Sequence, residues 1–223
     1  MKSIFTKFAE QIFAYPNIYC IYYLLRSRIQ YIKWLTNGKK FPVPHIVKQI
    51  HIKNTACAFN LHTFVETGTY RGDMVYAMRN KFKKIYSIEL DNTLHKKARA
   101  RFMKYNHIHM LSGDSGKILG NIVKKLDKPA LFWLDGHYSG GITAQGEKKS
   151  PVFEELYHIF NVPDFGHVIL IDDASCFIGK NDFPKISDLK NIILSYRPEL
   201  NFSVNDDIII IYSKQKKKCR SLL

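Results

Sequence analysis

From residue 61 onward, short apolar runs with β-type residues alternate with amphipathic helical stretches, and this alternation restricts the fold more than any other feature. LHTFVE (61–66), KIYSIEL (84–90), HIHML (107–111), PALFWLD (129–135) and GHVILID (166–172) read as five strands. Helices are predicted between them over 73–82, 91–105, 115–126 and 150–160, with a further one over 184–196. LNFSV (200–204) and DIIIIYS (207–213) close the chain as a hairpin turning at Asn205-Asp206. Strand–helix alternation gives parallel βαβ units covered on both faces. The expectation is therefore an α/β fold: a seven-stranded, mostly parallel sheet with helices on both faces and a terminal antiparallel strand.

Charge divides the chain into three parts. Residues 1–60 carry nine Lys/Arg and one acid, 61–213 carry 20 basic and 18 acidic residues, and KQKKKCR at 214–220 adds five more bases. These parts are read as a basic, aromatic-rich helical extension (1–60), a sheet domain (61–213) and a basic tail (214–223). IFAYPNIYCIYYLL (12–25) has no charge, but its 14 residues fall short of the roughly 20 that span a bilayer. No small-residue cleavage site follows it. Next, RSRIQYIKWLTNGKK interleaves Arg26, Arg28 and Lys33 with Tyr31 and Trp34, a pattern that suits a helix on a membrane surface or on a partner subunit. Homo-oligomerisation through this extension is the second of those options. Four scattered cysteines without a Cys-x-x-Cys pair fit a reducing, cytoplasmic setting, with peripheral contact at the inner membrane surface as an extension of it.

The first strand ends at Glu66, and Gly68 and Gly72 follow in G-x-x-x-G spacing. In an open α/β sheet, ligands bind beyond the carboxyl ends of the strands. The glycines let the backbone turn tightly there. The spacing is not the G-x-G-x-x-G of a dinucleotide site, and a carboxylate repels a pyrophosphate. Glu66 instead suits the cationic end of a ligand, such as an α-amino group. The second strand ends at Glu89, 23 residues later, placed to accept from two ribose hydroxyls. Asp114, after the third strand, either accepts from an adenine amino group or caps the helix at 115. Together these acids describe a site for adenosine plus an amine.

VETGTYRGD, YSIELD and LSGDS resemble the first three cofactor motifs of class I S-adenosylmethionine-dependent methyltransferases. VETGTYRG is similar to the corresponding segment of the macrocin (macrolide-sugar) O-methyltransferases. The resemblance covers about 61–213 and implies a Rossmann-like fold. It implies that Glu66 and Gly68 face the methionine end of S-adenosylmethionine, Glu89 the ribose and Asp114 the adenine. In that family an Leu-Asp-Gly acid and a paired Asp-Asp bind Mg²⁺, which orients a sugar diol. The matching residues are Asp135 in LDG and Asp172 and Asp173 in IDD. Three carboxylates on one edge repel unless a divalent cation lies between them. His137 is the nearest candidate for a general base, beside Asp135 in the catalytic set. The expected acceptor is a sugar or another small polar molecule, or a glycan. The glycine-rich segment 136–151 suits a substrate-binding loop.

Three other classes are weighed. A nucleic-acid methyltransferase would explain the basic ends, but the (Asp/Asn)-Pro-Pro-(Tyr/Phe) segment of amino-methylating enzymes is replaced here by Asp-Gly-His-Tyr. A nicotinamide dehydrogenase lacks its phosphate turn. A non-catalytic nucleotide-binding module of the same fold is the third.

Overall fold

The computed structural model describes residues 16–39, 42–136, 150–163, 165–180 and 182–214. The chain divides into two compact units, Met1–Ile50 and His51–Leu223. In the first, helix α1 (Pro16–Thr36) leads to the start of helix α2 (His45–Ala58). Trp34, Val43 and Val47 form a small buried cluster there. Along α1, Ile21, Leu24, Leu25, Ile29 and Ile32 are exposed. Among the described residues no helix is long and apolar enough to cross a membrane.

The second unit begins ten residues before the boundary expected from charge. The end of α2 belongs to the core of the sheet domain, where Ile52, Ala56 and Phe59 are buried. The order is then β1 (Thr63–Thr67), α3 (Asp73–Met78), β2 (Lys84–Glu89), α4 (Asn92–Phe102), β3 (Ile108–Ser112), α5 (Ser115–Val123) and β4 (Ala130–Leu134). After these come α6 (Val152–Phe160), β5 (Val168–Ile171), a 3₁₀ turn (Ala174–Cys176), α7 (Ile186–Tyr196), β6 (Leu200–Asn205) and β7 (Ile208–Ser213). The seven strands form one sheet in the order β3-β2-β1-β4-β5-β7-β6. β1–β5 pair in parallel, and β7 runs antiparallel between β5 and β6. This is the expected architecture.

The uninterrupted apolar strands follow from burial on both faces. Successive side chains alternate between faces. In β4, Phe132 and Leu134 pack with α5, α6 and α7, while Leu131 and Trp133 pack with α2, α3 and α4. β5 repeats the division, with Ile169 and Ile171 on the first face and Val168 and Leu170 on the second. The closing hairpin turns on Asp206 and Asp207, both at positive φ, one residue later than the sequence indicated. Left-handed backbone at both turn positions matches the right-handed twist of the flanking strands.

Candidate functional site

The strand ends are brought into line by the register. Thr67 of β1 pairs with Ile88 of β2 and Leu134 of β4. The chain order reverses at β1, which has β2 on one side and β4 on the other. In open α/β sheets the crevice at such a reversal is where ligands bind.

The turn after β1 is built against β2. Gly68 and Thr69 both donate their backbone N–H to the Ile88 carbonyl, at 3.0 and 3.2 Å. Gly68 has φ +82°, and a Cβ there would lie 2.1 Å from the Asp135 carbonyl oxygen. Only glycine fits that approach of β1 to β4. Tyr70 is also left-handed, at φ +50°. Its N–H donates to Glu89 Oε2 at 2.6 Å, and the Asp91 N–H donates to Glu89 Oε1 at 2.9 Å. Glu89 is thereby pinned by two backbone donors at the end of β2. Asp91 caps α4 as its sequence position suggested, accepting from the N–H groups of Thr93 and Leu94.

Glu66 lies further in than the sequence reading placed it. It is 1% exposed, on the same face of the sheet as Ser87, its partner in register. Ser87 Oγ donates to Glu66 Oε2 at 2.5 Å, and Thr69 Oγ1 lies 2.5 Å from Ser87 Oγ. Burial pushes the Glu66 carboxyl up to about 8; the Ser87 hydroxyl opposes this, and the charges of Glu89 and Asp73 add to it. Burial also raises Glu89, against the pull of its backbone donors. Two buried acids on adjacent strand ends favour a ligand that brings positive charge. A ribose diol also fits, because each pinned Glu89 oxygen keeps a lone pair for a hydroxyl. S-adenosylmethionine has both features, so these residues suit it.

Asp114 serves as the N-cap of α5, its Oδ1 accepting from the Gly116 N–H at 2.9 Å. Of the two sequence readings for this residue, the cap is the one the geometry displays.

The metal set is placed differently from the expectation. Asp135, Asp172 and Asp173 all lie on the strand-end edge, yet among the described residues no three His, Cys, Asp or Glu side chains are grouped to hold a metal ion. Asp172 is buried, and its Oδ1 accepts the Asp173 N–H at 2.8 Å. Asp173 takes left-handed backbone at φ +49° as it enters the 3₁₀ turn. The backbone N–H of Asp135 donates to Thr67, to its carbonyl and to Oγ1, both at 3.2 Å. Emerging on one edge has therefore not gathered these carboxylates into a three-ligand group among the described residues, and one of them accepts from the backbone of its neighbour. His137, and with it Tyr138, Ser139, Thr143, Lys148 and Lys149, lies outside the described residues.

Sequence reasoning missed three contributors. Glu155 of α6 is 1% exposed and accepts from Ser115 Oγ at 2.6 Å. A Cβ on Gly136 would meet Glu155 Oε1, Ser115 Oγ and Thr67 Oγ1, all within 3.1 Å. The Gly of Leu-Asp-Gly is thus enclosed by three polar side chains from β1, α5 and α6. The available signal was the position of Glu155 within the apolar stripe Val152, Leu156 and Ile159, where a carboxylate must be buried. Arg101 of α4 is the third contributor. It pairs with Asp73 at 2.9 Å and donates to the Arg71 carbonyl at 2.5 Å, which anchors the far end of the glycine turn.

No protein-family model matches the sequence, and no curated protein is detectably similar to it. Solved structures do match in fold. The O-methyltransferase TomG from Streptomyces achromogenes, involved in tomaymycin synthesis and solved with SAM, aligns with a TM-score of 0.54 at 13% identity, over 74% of this chain and 78% of that one. An O-methyltransferase from Bacillus cereus, solved with SAH, gives 0.55 at 12% identity, over 84% and 89%. The 23S rRNA methyltransferase ErmE gives 0.50 at 14% identity, over 76% and 68%. The chain has the Rossmann-like fold of the class I methyltransferases.

Proposed function

We propose that this protein is an S-adenosylmethionine-dependent methyltransferase that acts on a hydroxyl of a sugar or another small polar acceptor. The observation that carries the proposal is Glu89, a buried carboxylate closing β2, pinned by the Tyr70 and Asp91 N–H groups beside a left-handed glycine turn. Glu89 would hold the ribose, with the Gly68 turn and Glu66 behind the methionine end. When bound, S-adenosylmethionine supplies a methyl group on a sulfonium.

The chain's own residues supply placement. The Gly68–Asp135 approach fixes the strand ends against each other, and Thr67, Ser115 and Glu155 leave no room for a side chain at Gly136, ahead of the segment assigned to the acceptor. Orientation of this kind contributes more to an in-line displacement than acid catalysis does. His137, two residues past Asp135, is assigned as the group that takes the proton from the acceptor hydroxyl. No three His, Cys, Asp or Glu side chains are grouped to hold a metal ion among the described residues, so no step is routed through Mg²⁺. The O-methyltransferase relatives in fold favour a hydroxyl acceptor, and the absence of the Pro-Pro segment after β4 disfavours a nucleobase amine.

The test is a transfer assay with labelled S-adenosylmethionine against a panel of sugars, catechols and RNA, with SAH release as the readout. Methylation of a small hydroxyl acceptor supports the reading. Transfer to RNA alone would move the protein to the nucleic-acid class. SAH binding without transfer to any acceptor would favour the non-catalytic module.

A further inference from the structure

The near-neutral charge of the sheet domain conceals a strong polarity. Glu66, Glu89, Asp114, Asp135, Asp172 and Asp173 all lie at or just beyond the strand ends. The opposite edge, where the strands begin, is lined with lysine. Lys83 and Lys84 enter β2, Lys104 lies between α4 and β3, and Lys124, Lys125 and Lys128 lie between α5 and β4. The register brings these segments together, since Lys84 pairs with Thr63, Thr63 with Ala130, and Ile85 with Ile108. All six lysines are exposed, and among the described residues none of them forms an ion pair. Asp127 is the one acid within those three segments. β7 also ends at this edge, where Lys214 donates its backbone N–H to the Glu199 carbonyl.

We propose that the strand-start edge of the sheet docks on an anionic lipid bilayer. The ligand of this edge is not the methyl acceptor, because the candidate site lies at the other end of every parallel strand. Of the anionic partners, a bilayer fits better than a nucleic acid. The edge is lysine-rich, and beside Lys104 stands Met103, a large apolar side chain 80% exposed that suits the apolar boundary of a bilayer, whereas the aromatics of these segments, Tyr86 and Tyr105, are half-buried beneath Lys84 and Lys104. Clusters of four to eight basic residues bind anionic membranes diffusely, by charge.

The experiment is vesicle co-sedimentation of the full chain, with phosphatidylcholine alone and mixed with phosphatidylglycerol. Binding is expected only to the mixed vesicles and should weaken as salt screens the charges. Each basic residue near such a surface contributes about fivefold, so Lys83→Glu/Lys84→Glu/Lys104→Glu should weaken partitioning by at least about 100-fold. Lys124→Glu/Lys125→Glu/Lys128→Glu should do the same. Lys97→Glu/Lys180→Glu/Lys190→Glu, with an equal change in net charge away from this edge, should lose far less. Wild-type partitioning by both edge variants would overturn the proposal. So would equal loss in all three variants, or tighter binding of the full chain to a single-stranded oligonucleotide than to the mixed vesicles at the same salt.

Discussion

At the strand ends of this sheet the charges are acids and several are buried: Glu66, Glu89 and Asp172 are each 5% exposed or less. At the strand starts the charges are lysines standing in solvent. Backbone conformation divides the same way. Gly68, Tyr70, Gly72, Gly113, Asp173, Asp206 and Asp207 take positive φ at the strand ends, whereas Asn60 and Gly166 do so at the starts. A left-handed non-glycine residue costs about 1–2 kcal/mol, and buried acids add desolvation. Strain and buried charge therefore accumulate on one edge of one sheet. The difference teaches that strain and buried acid mark the edge proposed to hold the ligand, while solvated lysine marks the edge proposed to meet a surface.

The most damaging way to break this contrast is at Gly68. Gly68→Ala combines a left-handed backbone with a Cβ driven against the Asp135 carbonyl. It should lower stability by about 3 kcal/mol or more, read by denaturant unfolding. Gly179→Ala also sits at positive φ, but there the Cβ meets the flexible Lys185 side chain, and the loss should be about 1 kcal/mol. Equal losses would mean that the approach of β1 to β4 is not tight.

Glu66 sharpens the comparison through pH. Its carboxyl titrates near 4.5 when unfolded and at about 8 in the folded protein. Between those values the folded state keeps a proton that the unfolded chain has released. Its contribution to stability is therefore greatest below 4.5, declines as pH rises towards 8, and levels off above. Glu66→Gln should flatten that decline and leave the ligand-free protein more stable at alkaline pH. An unchanged slope in urea unfolding from acid to alkaline pH would remove the buried proton from the account. The smallest effect is expected from chelation. EDTA should leave SAH affinity within about twofold, because neither Glu66 nor Glu89 is among the aspartates once expected to bind metal.

Legibility in the sequence followed the range of each signal. Glu89 and Gly68 were readable because a strand end and a glycine turn are local patterns, and the two-sided burial of β4 and β5 was readable from unbroken apolar runs. Arg101 was not, because its partners Asp73 and Arg71 lie 28 and 30 residues away and depend on how α4 packs. Glu155 meets Ser115 across 40 residues for the same reason. Asp172 shows the limit from the other side. Topology fixed the edge on which it emerges, but not that its Oδ1 would accept the N–H of Asp173 at the left-handed turn that follows. The end of α2 was read as extension because its charge resembles that of the preceding residues, although its buried stripe ties it to the sheet.

The central claim is that Glu89 makes the strand-end edge a site for the adenosine of S-adenosylmethionine. Isothermal titration of SAH into the wild-type chain and into Glu89→Ala tests it most directly, with NAD as the control ligand. The account predicts that SAH binds and NAD does not, and that Glu89→Ala weakens SAH by about 1.5–3 kcal/mol, the range for hydrogen bonds to a charged group. Circular dichroism should show that the variant keeps its fold. Wild-type affinity in a folded Glu89→Ala chain, or no heat with SAH in the wild type, would contradict it.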